Sequence, residues 1–579
     1  MSLFKTKNSI ASFEYQGFEG IDRGSPAGGG GGATDILNYR ILSDGSLQKR
    51  REYRYLSGFS EPVRAFLSGE TNGSFAAYAL AGNKLYSVDM SSGEQTEIAE
   101  VGTSEGGASL FFYMNRLYIA DGADIYMLGD SGIVPVMGYV PLLGDNWGST
   151  YPGKINEPLN TLNPRARITY TVTDENSIFL STLYKPFALD RLYHNGEEVA
   201  PEDYLLDERL CTISMAGLKI GDRLEAHLIF DRPVTERERV VTNTQACVFG
   251  GISNSRVFMW NGEKKNLMFC TRVTTAESLR ESVRIYGDNG DLYFPLDYEF
   301  TVGDGRYGIS TVGRHLDRLL IFTEGETWMA DSDSCGVEDF PVMRINTDNG
   351  CRVRYGVARC GNDPVNVGRE HIMRLTSNTD ELEDCNAYVI SHGIAELLPK
   401  GFFENASVYE DKRHGEVLFS GGENGDGRVF VYGNGGKSWY IYDNIPARLF
   451  FEAPDGLGFL SKDKLYIFDD SLSEDIGEDG EARKISAYYE GQLLDFGYPF
   501  ESKRLMRSDL RADTEGENVK ISLVSDKGIG ESALISGERG ISSHSIRMNC
   551  GRFTDLKMRI SSSADAAQRI YALTLTVKK

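Results

Sequence analysis

The pattern that most restricts this chain is short and occurs four times: a turn residue, a cation, apolar side chains in alternation, and a polar stop. It reads Asn83-Lys-Leu-Tyr-Ser-Val-Asp89, Asn115-Arg-Leu-Tyr-Ile-Ala-Asp121 and Asp463-Lys-Leu-Tyr-Ile-Phe-Asp469, with Asp317-Arg-Leu-Leu-Ile-Phe-Thr323 as a looser copy. A strand this short holds only as a member of a larger sheet, so each copy predicts an inner strand of a repeated four-stranded unit. A second strand follows closely at Asp124-Ile-Tyr-Met-Leu128 and Glu326-Thr-Trp-Met-Ala330, and further strands lie at Val417-Leu-Phe-Ser420, Arg428-Val-Phe-Val-Tyr432 and Trp439-Tyr-Ile-Tyr442. Radial repetition of such units, as blades of a β-propeller, leaves few open sheet edges. The spacing is uneven, and the copies stand on both sides of a long insertion.

The 64 glycines, the 11% aromatic content and the frequent Asp-Gly, Asn-Gly and Gly-Gly pairs extend this reading to an all-β chain of many short strands and tight turns. At 579 residues, two to four domains are expected. Residues 1–55 read as an extended N-terminal leader or arm, centred on Ser25-Pro26-Ala27 and the run Gly28 to Gly32, which is either mobile or held by neighbours. Within it, Asp44-Gly45 predicts a turn that opposes Tyr39 to Leu42 and Leu47 to Arg50. Residues 56–144 and 236–482 read as two parts of a β-propeller-like core, 145–235 as an inserted β-sandwich, and 483–579 as a C-terminal β-sandwich. The insertion opens on an irregular, Gly-, Pro- and Asn-rich linker, Leu142 to Pro164, and the acidic stretch Asp469 to Glu481 reads as a solvated linker before the last domain. Beyond it, Lys484 to Tyr489, Val519 to Val524, Leu556 to Ile560 and Ile570 to Val577 alternate at period two, one face apolar and one wet. Ala276 to Ser282 is the best helix candidate.

Acids outnumber bases by 84 to 61, a formal charge of -23, which disfavours a protein whose main task is gripping phosphates. The same charge suits a conduit along which DNA slides without sticking, and also plain solubility. The start Met1-Ser-Leu-Phe-Lys-Thr-Lys leads into no apolar run of signal-peptide type, and no stretch reaches the roughly 20 apolar residues needed to cross a bilayer. The eight cysteines (Cys211, Cys247, Cys270, Cys335, Cys351, Cys360, Cys385, Cys550) form no C-x-x-C pair and read as reduced thiols.

Motifs that carry chemistry lack their settings. Gly303-Asp-Gly305-Arg-Tyr-Gly308 matches G-x-G-x-x-G, but the β-like Ile309-Ser-Thr-Val312 follows where a helix is required, so a blade turn is expected. Asp331-Ser-Asp333 and the cluster Asp469-Asp470-Ser-Leu-Ser-Glu474-Asp475 offer oxygen ligands without the full calcium loop. The histidines (His194, His227, His315, His371, His392, His414, His544) show no metal-ligand spacing, and Gly251-Ile-Ser253-Asn-Ser lacks the last glycine of a nucleophile elbow. Trp260, Trp328, Trp439 and the Tyr440/Tyr442 and Tyr488/Tyr489 pairs are expected to pack between strands rather than form a sugar platform. No catalytic residue, metal ligand or cofactor site is assigned, and no binding residue is singled out. A propeller glycosidase rests on fold analogy alone.

The leader residues Gly20-Ile21-Asp22, Ala33, Asp35 and Asn38, then Asp44-Gly45-Ser46-Leu47 with Lys49-Arg50, resemble the opening of tail structural proteins from phages and prophages of gut-type bacteria. Phe294-Pro-Leu-Asp-Tyr, Gly303-Asp-Gly305 and Asp317 through Trp328 are similar to the same proteins and to the β-propeller tail-nozzle proteins of short-tailed phages. Asp203-Tyr204 with Gly221-Asp222 resembles a small sandwich found in phage fibres and tail parts. The resemblance implies a non-enzymatic virion component, assembled in the host cytoplasm into a homohexameric ring of the distal tail. Its partners would be tail adaptor and tail fibre or tip proteins, with transient, non-specific contact to the exiting genomic DNA and no membrane-spanning segment. The alternative is a tail-tip propeller that binds host-surface glycan.

Overall fold

The computed structural model describes residues 10–15, 17–23, 32–103, 105–129, 132–148, 153–173, 178–179, 187–207, 212–230, 234–250, 255–331, 342–376, 386–422, 426–433, 438–537, 539–563 and 568–579. The fold is all-β. Among the described residues, seven four-stranded antiparallel blades form the core. Six are continuous in sequence, within residues 63–100, 109–135, 245–301, 309–346, 357–389 and 407–442. The seventh takes Leu449–Ala453, Gly456–Ser461 and Lys464–Phe468 from one end of the core and Tyr53–Gly58 from the other. The first strand of blade 1, Val63–Thr71, lies beside the first strands of blade 2, Ser109–Tyr113, and of blade 7, Leu449–Ala453, so the ring closes. Because one blade mixes both chain ends of the core, opening the ring means breaking a sheet.

The fourfold sequence pattern occupies the second strand of blades 2 and 4 and the third strand of blades 1 and 7. What the copies share is therefore the turn before them rather than a blade position. The residue ahead of each, Gly82, Met114, Leu316 and Lys462, has φ between 48° and 57°, as tight hairpin turns that match strand twist require. This explains the uneven spacing: the pattern marks hairpin entry, and each blade has more than one such entry.

Between blades 2 and 3 stands a two-sheet insertion. Leu142–Gly148, Arg165–Thr171, Arg223–Phe230, Phe187–His194 and Glu197–Glu198 make one sheet, and Ile178–Phe179, Thr212–Met215 and Tyr204–Asp207 the other. Ile213 and Leu206 of the small sheet share a core with Ile168, Tyr170, Leu224 and Leu228 of the large one. The segment expected as an irregular linker from Leu142 contributes a strand instead. Trp147 is buried and donates from Nε1 to the Lys154 carbonyl at 3.2 Å, and a bulge with Asn146 at φ 52° turns it inward. The hydrophobic gain of one buried indole outweighs the loop-like composition around it. The expected helix is present as α2, Ala276–Tyr286, capped by Thr275 and preceded in the chain by α1, Val234–Val241.

The described parts of the leader are held by neighbours, the second of the two expected states. Ile10–Tyr15 pairs along Arg569–Lys578, and the hairpin Tyr39–Ile41/Leu47–Lys49 extends the same sheet, whose other members include Lys503–Asp513 and Ser542–Ile546. Ala33–Leu37 enters the opposing sheet between Ser438–Tyr442 of blade 6 and Ala487–Gly491. That sheet runs on through Leu556–Ser562, Val519–Ser525 and Gly530–Ile535, giving nine strands from the propeller to the far edge of the sandwich. The reason is legible in retrospect: Tyr15 is buried and Ala11 and Phe13 are half-buried while Ser12 and Glu14 are exposed, and Tyr15 packs on Phe18 and Tyr489. Gly28 to Gly31 lie outside the described residues. The acidic stretch is likewise structured, since Asp475–Ile476 pairs beside Tyr53–Gly58 and Asp475 is buried.

Candidate functional site

The residues singled out for chemistry are placed in structural roles. Gly303 and Gly305 sit at φ 69° and 85° in the turn between blades 3 and 4, with a strand following. Asp469 accepts from Ser471 and pairs with Arg54, and Asp475 pairs with the buried Arg50, so these two acids are committed. Asp333 and the Gly251–Asn254 segment lie outside the described residues, as do Cys211, Cys335 and Cys385. Among the described residues no group of histidine, cysteine and carboxylate side chains is placed to hold a metal. Cys247, Cys270, Cys351 and Cys550 are free thiols, and burial pushes Cys270 and Cys351 up to about 12, far from thiolate reactivity at neutral pH. Trp260 and Trp439 are buried, as are Tyr440, Tyr442 and Tyr489.

The mouth of the propeller's own pore, at the start of the first strands, is spanned by an arginine. Arg354, just ahead of blade 5, donates to the Ala108 carbonyl and to Ser109 Oγ of blade 2, each at 2.7 Å. Blades 2 and 5 are not neighbours in a ring of seven, so this side chain crosses the axis. Arg64 fastens the same end, donating to the Thr103 carbonyl at 2.6 Å and to those of Gly106 and Asp121. A mouth bridged by one side chain does not admit a nucleic-acid duplex.

A polar concavity lies where the inserted sandwich meets α2. A cleft of about 650 Å³ is lined by Arg191, Tyr193, Arg223, Glu225 and His227 of two adjacent strands and by Glu281 and Arg284 of the helix. Strand alternation explains the placement: Arg191 lies opposite His227 and Tyr193 opposite Glu225, while Leu192, Leu224 and Ala226 point into the core. Glu225 accepts from His227 Nε2 at 2.9 Å, and that hydrogen bond holds its carboxyl below the usual range. The buried Arg167 bridges Glu225 at 3.6 Å and Glu281 at 3.2 Å. At the rim, His194 Nε2 lies 2.7 Å from Asp222, which this bond and the Lys219 amide hold at about 2. Reading by motif missed this cleft, because its residues meet through β-register and a helix about 50 positions downstream of the nearer strand.

Exposed large apolar side chains are uneven. Of the fourteen among the described residues, eight belong to the C-terminal sandwich with its leader strand: Ile10, Leu493, Phe500, Met506, Val524, Ile529, Leu534 and Ile541. Phe500 is 96% exposed. Gly530–Ile535, which carries Leu534, is the terminal strand of the nine-stranded sheet and has one unpaired edge among the described residues.

The molecule is thus a seven-bladed propeller with one sandwich inserted and a second welded to it. No family model matches the chain, and no curated protein matches it. Among solved structures it is similar to PorZ, a bacterial surface component of the type-IX secretion system of Porphyromonas gingivalis, at 10% identity and a TM-score of 0.32, covering 85% of this chain and 46% of that one. The chain therefore spans under half the length of that protein. It is also similar to BBS1N in complex with ARL6DN, at 9% identity and a TM-score of 0.34 over 73% of this chain and 98% of that one. A chain of the mitotic checkpoint complex matches at 9% identity and 0.31, covering 78% and 94%. No helix among the described residues is long and apolar enough to cross a membrane.

Proposed function

We propose that this chain is a non-enzymatic structural component of a phage tail, a ring subunit of the nozzle or distal tail that helps form the DNA-ejection channel and anchors neighbouring tail proteins. The observation that carries the reading concerns the leader residues behind the phage resemblance: they are the residues that fasten the propeller to the C-terminal sandwich. Asn38 donates to Asp443 at 2.6 Å and to the Ser486 carbonyl, and accepts from Arg50. Arg50 closes a two-point pair with Asp475. Asp35 accepts from the Tyr488 hydroxyl, Asp44 pairs with Arg569, and Ile21 bridges to Ala33. A Cβ on Gly20 would meet the Trp439 amide nitrogen at 2.5 Å, so only glycine fits there. Such residues serve rigidity, which a load-bearing tail part needs.

In this reading the propeller pore is a structural hub, and the genome passes along the axis of the oligomer. The acidic balance of the chain limits sticking to the phosphate backbone. Mass spectrometry and electron microscopy of phage particles induced from the host carry the test. The protein is expected in stoichiometric amount in intact virions, in a ring at the distal tail, and its absence from them sinks the proposal.

A further inference from the structure

The cleft between the inserted sandwich and α2 carries more polarity than its packing needs. His227 is 2% exposed, lines the cleft, and has a Nδ1 with no hydrogen-bond partner among the described residues. Arg167 Nε and the Tyr286 hydroxyl are likewise buried without hydrogen-bond partners among the described residues, and the Tyr286 ring packs on His227 at 5.4 Å. An unmet buried polar atom costs about 1–3 kcal/mol, so three in one place call for an external partner. The carboxylates at the base are already engaged, Glu225 by His227 and both Glu225 and Glu281 by Arg167. Asp190 and Glu198 lie near Arg191. Arg223 and Arg284 line the opening, are exposed, and close no ion pair among the described residues.

We propose that this cleft binds a small hydroxylated molecule bearing an oxyanion, a phosphate or carboxylate group on a sugar-like body. Arg223 and Arg284 supply planar forks of donors, the geometry that matches such anions. With Nε2–H given to Glu225, His227 Nδ1 presents a lone pair to a ligand hydroxyl. Tyr193 offers the ring face against which a sugar lies. The inference stands apart from the tail reading, since it concerns only the cleft between the insertion and α2.

Isothermal titration calorimetry of the full chain against inorganic phosphate, glucose 6-phosphate and glucuronate, with glucose as the neutral control, tests it. Saturable binding of at least one of the anions, weakened about tenfold or more by Arg284→Ala and by Arg223→Ala, is expected. Which anion binds tells phosphate from carboxylate chemistry. Arg306→Ala, on a distant blade turn, should leave the affinity unchanged. Failure of all three anions to saturate, equal binding of glucose, or affinity indifferent to both cleft variants overturns the proposal. Thermal melts of each variant separate lost binding from lost folding, and His227→Asn supplies a second variant in which the Nδ1 acceptor is altered without removing a cation.

Discussion

Arg50 donates five hydrogen bonds from a side chain 1% exposed, to Asn38, the Arg51 and Asp443 carbonyls, and both oxygens of Asp475. Removing one member of a buried pair strands the other, which costs about 3–5 kcal/mol, whereas replacing both with apolar groups is often near neutral. Asp475→Asn should therefore lower the denaturant midpoint strongly, and Arg50→Met with Asp475→Leu should recover much of the loss. Additive losses in the double variant would contradict this account. At the cleft rim the effect is one of pH. Asp222 titrates at about 2 when folded, against an ordinary 3.8, because His194 and the Lys219 amide bond its charged form. A depressed folded value contributes stability that is present above the unfolded value and lost as pH falls through the folded one. Asp222→Asn should accordingly flatten the loss of stability between about pH 4 and pH 2, followed by the fluorescence of Trp147 in the insertion core. In the sequence Arg50 is the end of a leader hairpin and Asp475 one acid of a linker cluster that offers oxygen ligands. Their pairing spans 425 positions, and no local pattern encodes it.

Elements were legible in proportion to how local their signals are. The Asp44-Gly45 turn and its hairpin, the capped helix and the period-two strands of the last domain are visible in short windows. The leader strands are not, because Ala33–Leu37 is defined by partners more than 400 positions away, in blade 6 and in the sandwich. The strand pattern that suggested blades marks hairpin entries, so it reveals the architecture without giving the blade count. The cleft was invisible for a related reason: polar residues at alternate positions of a strand look like an ordinary wet face until a helix covers them. Element-level predictions follow at the leader. Gly20→Ala forces a Cβ into the backbone of Trp439 and should destabilise by about 1–3 kcal/mol, as overpacking does. Gly17→Ala, where nothing lies within 4 Å, should stay within about 0.5 kcal/mol of the parent. Urea unfolding of the two variants side by side measures the difference, and equal midpoints would remove the leader from the account of how the domains are joined.

At the scale of the molecule, the propeller and the sandwich divide the work. The blades are closed by a mixed last sheet, with the pore mouth bridged by Arg354, so the propeller is a stiff body rather than a conduit. The sandwich shares a sheet with blade 6, so force applied to it reaches the ring through backbone hydrogen bonds. With the leader strand it also holds most of the exposed large apolar side chains, and the open edge at Gly530–Ile535, among the described residues. An exposed edge without protective lysine or proline invites pairing, and scattered apolar side chains beside it favour burial on assembly. If that surface is the assembly face, Phe500→Glu with Leu534→Lys should leave the melting temperature of the isolated chain nearly unchanged, because both side chains are exposed at 96% and 68%. On the proposed tail reading, the same two changes, made in the phage gene, should keep the protein out of the particles and abolish infectivity. Normal incorporation of the double variant would place the subunit contacts elsewhere and leave the sandwich's exposed side chains without an assembly role.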